Sequence, residues 1–483
     1  GGDQWRVNGK LTLTFGLRGD MPSFPDKPDH NPVVQSALGF DTSATPSEDI
    51  VISPRLGFNW SPSGNDQLRG GVGIFAGRTP YVWVSNAFNG TGVFSTSLTT
   101  NCPGGTTPFT ATPCIPFNAD PHNQPHSGGA GSSIAVDLID PDFDFPRVLR
   151  ATLAYDRVLP WNLRATVEGV WSQTQEDVFY KNVGKVRSGS SPLDGRPRFT
   201  SISSTVTNAY LLTNTSKGEE KVVSFQLQRN FSHGFQANAS YTWMDAESAH
   251  DATSSRAVSN WQFRPTQGDI FDDDVARSQF EVEHRFTVAP TYTFSTGRVG
   301  HTIAAFWNVQ SGRPYSLLIG GDVNGDGQAT NDLLFVPGAA DAIILQSASA
   351  GNPVIPYERF AAFLRSAGIN PTAGRILDRN ESDEPWSHQL DVHYGLEVPI
   401  RVVRAEVTFD VLNALNLINK DWGQVRTSGL QTYTPVNYIG QDAATGKPIY
   451  REAAANRLIP GGQFTTADLR SRWQAKLGLR LSF

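Results

Sequence analysis

The sequence predicts an all-β protein, a transmembrane antiparallel up-and-down β-barrel with long extracellular loops. Three observations predict it. Apolar residues recur with a period of two over segments of about ten residues. These segments are joined alternately by short turns and long connections, as in outer-membrane barrels. No apolar run reaches the roughly 18 residues that a membrane-crossing helix needs, so a membrane would be crossed by strands.

The end of the chain, SRWQAKLGLRLSF, shows the period most clearly. Trp473, Ala475, Leu477, Leu479, Leu481 and Phe483 fall on one face, and Gln474, Lys476, Arg480 and Ser482 on the other. KLTLTFGLRGD repeats the pattern with Leu11, Leu13, Phe15 and Leu17, and LRATVEGVW with Leu163, Ala165, Val167 and Trp171. VVSFQLQRNF presents Val223, Phe225, Leu227 and Phe231, and QANASYTW presents Ala237, Ala239, Tyr241 and Trp243. HQLDVHYGLEV carries Leu390, Val392, Tyr394, Leu396 and Val398, and VRAEVTFDV carries Val403, Ala405, Val407, Phe409 and Val411. About twelve or more such strands fit the chain, and they could form part of a larger barrel. RFTVAPTYTF is the weakest segment, because Pro290 lacks a ladder donor.

Short turns are expected at Ser61–Asp66, Leu159–Asn162, Ser232–Phe235, Ser295–Gly300 and Pro399–Arg401. Long loops are expected at 21–49, 79–146, 173–221, 244–284, 313–386 and 414–470. A soluble sandwich also alternates, but its strands are shorter and loops of this length are rare in a compact domain. Trp171, Trp243 and Trp473 fall at the long-loop ends of strands, and Phe231, Phe294 and Phe483 at the short-turn ends, as two aromatic girdles would. The opposite face carries Arg404, Glu406 and Asp410 on one strand, Asp391, His393 and Glu397 on its neighbour, and Lys476 and Arg480 on the last. These charges are expected to face the barrel lumen and to pair across strands.

The balance of 40 basic and 46 acidic residues, net charge -6, argues against a nucleic-acid partner. Cys102 and Cys114 close a Gly-, Thr- and Pro-rich stretch, which predicts a loop disulfide in an oxidising compartment. The chain starts at Gly1, and Trp5-Arg6-Val7 reads as the tail of a strand, so a fragment of a longer protein is expected. No catalytic constellation is found: there is no HExxH, GGVGIFAG lies in a strand hairpin, and GQDAATGKP has the wrong spacing for a phosphate loop.

The stretch GDVNGDGQATNDLLF places Asp322, Asn324 and Asp326 at alternate positions before Gly327, as a calcium loop begins. Position 12 is Leu333 where an EF-hand has Glu, and the flanks lack helical periodicity, so this is no EF-hand sensor. A structural Ca²⁺ held by Asp322, Asn324, Asp326, Gln328 and Asp332 is one expectation, and a hydrated Asn-Gly/Asp-Gly turn is the other.

Taken in order, DQWRVNGKLTLTFGLRGD, SPRLGFNWSP, LRGGVGIFAGRTP, GFQANASYTW, QSGRPYSLLIGGDVNGDGQATNDLLFVPG and VTFDVLNALNLIN resemble the TonB-dependent outer-membrane receptors of the Oar-like type. The resemblance runs from about Asp3 to Phe483 and implies that residues 1–483 are the C-terminal part of a 22-stranded outer-membrane barrel. The plug, the TonB-contacting segment and the first strands of that family are not evident in this chain. It implies an outer-membrane location in a Gram-negative-type bacterium, and an assembly signal at Phe483 with Leu481 and Trp473 read by the barrel assembly machinery. It also implies contact with outer-membrane lipid, coupling to TonB through the missing plug region, and energised uptake of a large extracellular ligand, without enzymatic activity. Two alternatives stay open: a surface or adhesive barrel that transports nothing, and a soluble secreted calcium-binding β-protein.

Overall fold

The computed structural model describes residues 1–77, 81–93, 120–123, 134–400, 403–455 and 457–482. Thirteen strands run in one antiparallel path in which each strand lies beside the next in the chain. They are β1 (Gly2–Arg6), β2 (Leu11–Asp20), β3 (Val51–Trp60), β4 (Asp66–Ala76), β5 (Arg147–Leu159), β6 (Leu163–Asn182) and β7 (Gly218–Ser232). The path continues through β8 (Phe235–Ser248), β9 (His284–Thr296), β10 (Val299–Gln310), β11 (Ser387–Ile400), β12 (Val403–Leu412) and β13 (Gln474–Ser482). Among the described residues, β1 pairs only with β2, and β13 only with β12. The N-terminal edge is therefore Gly2–Arg6 and not the segment at Lys10–Asp20.

Strand direction alternates, so all the short turns gather on one rim of this wall and all the long connections on the other. The β7–β8 turn needs only His233 and Gly234, both at positive φ (52 and 77), which matches the twist of a two-residue hairpin. The segment with Pro290 is a full wall strand. Pro290 pairs with Ala237 of β8, while the ladder to β10 skips from Val288 to Thr291. The proline's missing donor thus interrupts one side only.

The apolar stripe along each strand is bare. Phe15, Leu56, Leu153, Val167, Phe225, Leu227, Phe286, Ile303, Phe409, Leu477 and Leu479 are all exposed. An apolar face of this extent needs lipid against it. The opposite face is a polar ladder. Arg69 bridges Asp156 at 3.1 Å and Glu168 at 3.0 Å across β4, β5 and β6, and His393 meets Asp410 at 2.6 Å across β11 and β12.

β6 is longer than the sequence pattern indicates. It runs on to Asn182, because Val178, Phe179 and Tyr180 leave the wall and enter a core above the rim. Among the described residues, the long connections carry strands and helices of their own. Most of the large, fully buried apolar side chains of the described residues lie in them rather than in the wall.

Candidate functional site: folded loops on one rim

Two units build this rim. In the first, five short strands pair in the order Ile344–Gln346, Pro448–Glu452, Thr432–Gln441, Pro314–Gly320 and Ser382–Asp383. Every residue of Pro314–Gly320 is buried, which a short continuous apolar run permits because both of its faces are covered. The helix Glu358–Ser366 lays Phe360, Phe363 and Leu364 against this sheet. In the second unit, Val206–Thr215 pairs in parallel with Ile134–Ile139 and antiparallel with the upper end of β6. The helices Tyr81–Asn89 and Ala257–Gln262 pack Val84, Ala87 and Trp261 around Tyr180, Tyr210 and Leu212.

The Asp322 loop lies where these units meet. Gly321 follows the buried strand, and both it and Asp322 take positive φ (115 and 48), turning the chain back on itself. Asn324, Asp326, Asn331 and Asp332 are almost fully buried. Both oxygens of Asp332 are occupied: Oδ2 accepts from the Val323 amide at 2.7 Å, and Oδ1 from Arg196 at 2.9 Å. Asp326 accepts from the Gln328 amide (2.8 Å) and from the side-chain amides of Asn324 (3.1 Å) and Asn331 (2.8 Å).

Arg196 comes from the connection between β6 and β7. Its guanidinium also meets Asp194 at 2.6 Å, and all three charged side chains are fully shielded from solvent. Burial pushes the Asp332 carboxyl up to about 6 even with Arg196 against it. Lys185 of the same connection donates to Ser201 at 3.1 Å; burial lowers its pKa, opposed by nearby Asp326 and Asp322. The sequence pattern did not single out Arg196, Asp194 or Lys185.

Among the described residues, no group of three or more His, Cys, Asp or Glu side chains is arranged to hold a metal ion. Within the set Asp322, Asn324, Asp326, Gln328 and Asp332, Asp332 serves as the counter-ion of Arg196. Two oxygens in the loop remain buried without a partner, Asp322 Oδ1 and Asn331 Oδ1.

Strand register places the other named charges. Glu406 lies opposite Arg480, Asp410 opposite Lys476, and Glu397 opposite Glu406. Arg404 Nε lies 3.4 Å from Glu397, which offsets that like-charge contact. Asp391 caps the end of β12 by accepting from the Asn413 amide at 2.8 Å. Trp171 donates to Glu219 at 2.6 Å where the apolar stripe of β6 gives way to charge, and Trp473 lies just before β13. Leu481 is half-exposed on the bare stripe of β13. Cys102, Cys114 and Phe483 lie outside the described residues.

The profile of a family described as "Outer membrane beta barrel domain" matches residues 1–438. The chain belongs to that family. Its bare stripe thus faces lipid in the outer membrane of a Gram-negative-type bacterium, and its long connections form an external cap.

No curated protein matches the sequence significantly. Similar solved structures include the siderophore receptor PirA from Acinetobacter baumannii, at 12% identity and TM-score 0.42 over 86% of this chain and 41% of that one. The outer membrane transporter YddB from Escherichia coli is similar at 10% identity and TM-score 0.41, over 98% and 43%. The ferric preacinetobactin receptor BauA, also from Acinetobacter baumannii, is similar at 9% identity and TM-score 0.38, over 84% and 36%. The chain spans less than half the length of each.

Proposed function

We propose that this chain is the C-terminal barrel portion of a TonB-dependent outer-membrane receptor, whose external cap binds a ligand for energised uptake. The observation that carries this reading is the folded cap. A barrel that only anchors a chain has no need of loops with two hydrophobic cores and a buried ion-pair network, because ordering that much backbone costs about 1–2 kcal/mol per residue. Rigid, pre-formed loops are how a surface keeps that ordering cost out of binding. Coupling to TonB belongs in this reading to a plug that the whole protein would carry.

The test uses the whole protein in cells with and without TonB. Accumulation of a solute that needs both the receptor and TonB supports uptake. Surface binding that is unchanged by loss of TonB, with no accumulation, assigns the cap to adhesion instead.

For the Asp322 loop we propose a narrower ion role than five-fold ligation. Ca²⁺ binds on the side of Asp322 Oδ1 and Asn331 Oδ1, the two buried oxygens without partners. Calorimetry is expected to show calcium heat for the wild type and none for Asp322→Ala. Equal heats would remove calcium from the loop.

A further inference from the structure

Two arginines of the cap have no carboxylate against them. Arg264 Nε donates to the Ala249 carbonyl at 2.9 Å, and its Nη2 to the Asp272 carbonyl at 2.9 Å. Arg379 Nη1 donates to the same Ala249 carbonyl at 2.7 Å, and its Nη2 to the carbonyls of Ser248 and Asp274. All these partners are backbone carbonyls. Arg379 is 7% exposed, and its Nε is buried without a partner.

The surrounding carboxylates attract the pair, but among the described residues none forms an ion pair with either arginine. Asp251 and Asp274 act on Arg379, and Asp272, Asp273 and Asp274 on Arg264, only from a distance, and the oxygens of Asp251 accept from the Ser248 and Ser278 hydroxyls and the Gln279 amide. His250 is fixed neutral. Its Nδ1 accepts from the Ala252 amide at 2.7 Å, so its Nε2 carries the proton toward the Asn260 carbonyl at 3.1 Å. Burial, with Arg264 and Arg379 beside it, holds His250 down to about 3. Burial also lowers Arg264 to about 9, with Arg379 adding to the effect.

A buried cation whose counter-charges stand off at a distance is only partly compensated for its lost hydration. Two planar guanidinium forks sharing one carbonyl suit an oxyanion better than any point charge. Both arginines line a cavity of about 60 Å³ whose wall also includes His250, Asn260, Gln431 and one carboxylate, Asp251, whose oxygens are taken up by Ser248, Ser278 and Gln279. That is several times the roughly 10–15 Å³ that one water needs, so it is roomy enough for a compact anion. Its lining also includes Phe263 (55% exposed) and Leu430 (89% exposed), which can meet an apolar body attached to the charge. The arginines also line a second cavity of about 500 Å³, but Glu247, Asp274, Asp378 and Glu381 there repel an anion.

We propose that the small cavity between Arg264 and Arg379 binds an oxyanion, a carboxylate or phosphate group carried by the molecule that the cap recognises. The proposal builds on the receptor reading by naming a ligand class, but the site stands whether or not the ligand is imported.

The experiment follows thermal unfolding of the whole protein, folded in detergent, by tryptophan fluorescence. Inorganic phosphate and acetate are compared with chloride at matched ionic strength. At least one oxyanion is expected to raise the melting temperature by several degrees with saturation, and the two arms tell phosphate from carboxylate. Arg379→Lys keeps the charge but loses the fork, and is expected to weaken the apparent affinity roughly tenfold or more. Leu430→Glu, at an exposed position that leaves folding intact, is expected to weaken it by placing a negative charge at the cavity. The proposal is overturned if neither oxyanion exceeds chloride, or if the shift is the same in Leu430→Glu and Arg379→Lys as in the wild type. Because the readout is binding alone, a failed uptake test leaves this result standing.

Discussion

Replacing Arg196 with methionine is expected to destabilise the external cap by about 3–5 kcal/mol while leaving the wall intact. Arg196 is the only cation touching Asp194 and Asp332 among the described residues, at 2.6 and 2.9 Å, with no solvent reaching any of the three. Methionine fills a similar volume but strands two carboxylates in a low-dielectric site. Arg196 Nη2 also donates to the Leu333 carbonyl at 2.8 Å, so the variant frees the far end of the Asp322 loop. Hydrogen exchange should rise through residues 321–334 and in the facing Pro197–Ser201 strand, whose Phe199 amide donates to the Asn324 carbonyl. Heat-modifiable migration of the barrel should not change. Adding Asp332→Asn removes one stranded charge and should recover part of the loss. A double variant as unstable as the single one would show that packing, and not charge, sets the effect.

Placing an arginine at Leu227 is the second large expected effect, about 2–4 kcal/mol against the folded state in a bilayer. Leu227 is exposed on the bare stripe of β7, and with Ala165, Val167, Phe225, Ala239, Tyr241, Phe286 and Val288 it lines an apolar hollow on the lipid side. An arginine there must bring its charge into hydrocarbon or drag water inward. Gln228, one residue on, points to the opposite face, and Gln228→Arg should change stability by no more than about 0.5 kcal/mol. Urea titration of chains folded into lipid vesicles measures both. Equal costs at the two positions would contradict the assignment of faces.

The wall was legible because each side chain's surroundings follow from its parity along the strand. Leu477, Leu479 and Leu481 must share a face whatever the rest of the chain does, and a one-residue slip would turn all of them toward the polar side. Loop asymmetry was legible for the same local reason. The second unit of the cap was not. Its run Ile134–Ile139 is too short to separate strand from loop, and its partner Val206–Thr215 lies across a wall hairpin. Signals were nonetheless present in the continuous apolar runs, of which PYSLLIG is the clearest, that only a two-sided core can accept.

The Asp322 loop divides along the same line. Its turn chemistry is local: Asp and Asn side chains bind amides a few residues on, and the glycines supply the turns. What that chemistry serves is not local. The residue that neutralises Asp332 is Arg196, 136 positions away in the chain, and it arrives only because two loops of the same rim fold against each other.

By itself, the sequence determined the period, the alternation of short and long connections, and thereby a lipid-facing wall with one elaborated rim. Only the tertiary structure decided that this rim is a packed cap, that its acidic loop answers to an arginine, and that Arg264 and Arg379 share a cavity. The physical reason is range. Strand parity and turn geometry act between near neighbours, whereas burial and charge pairing depend on which distant segments meet.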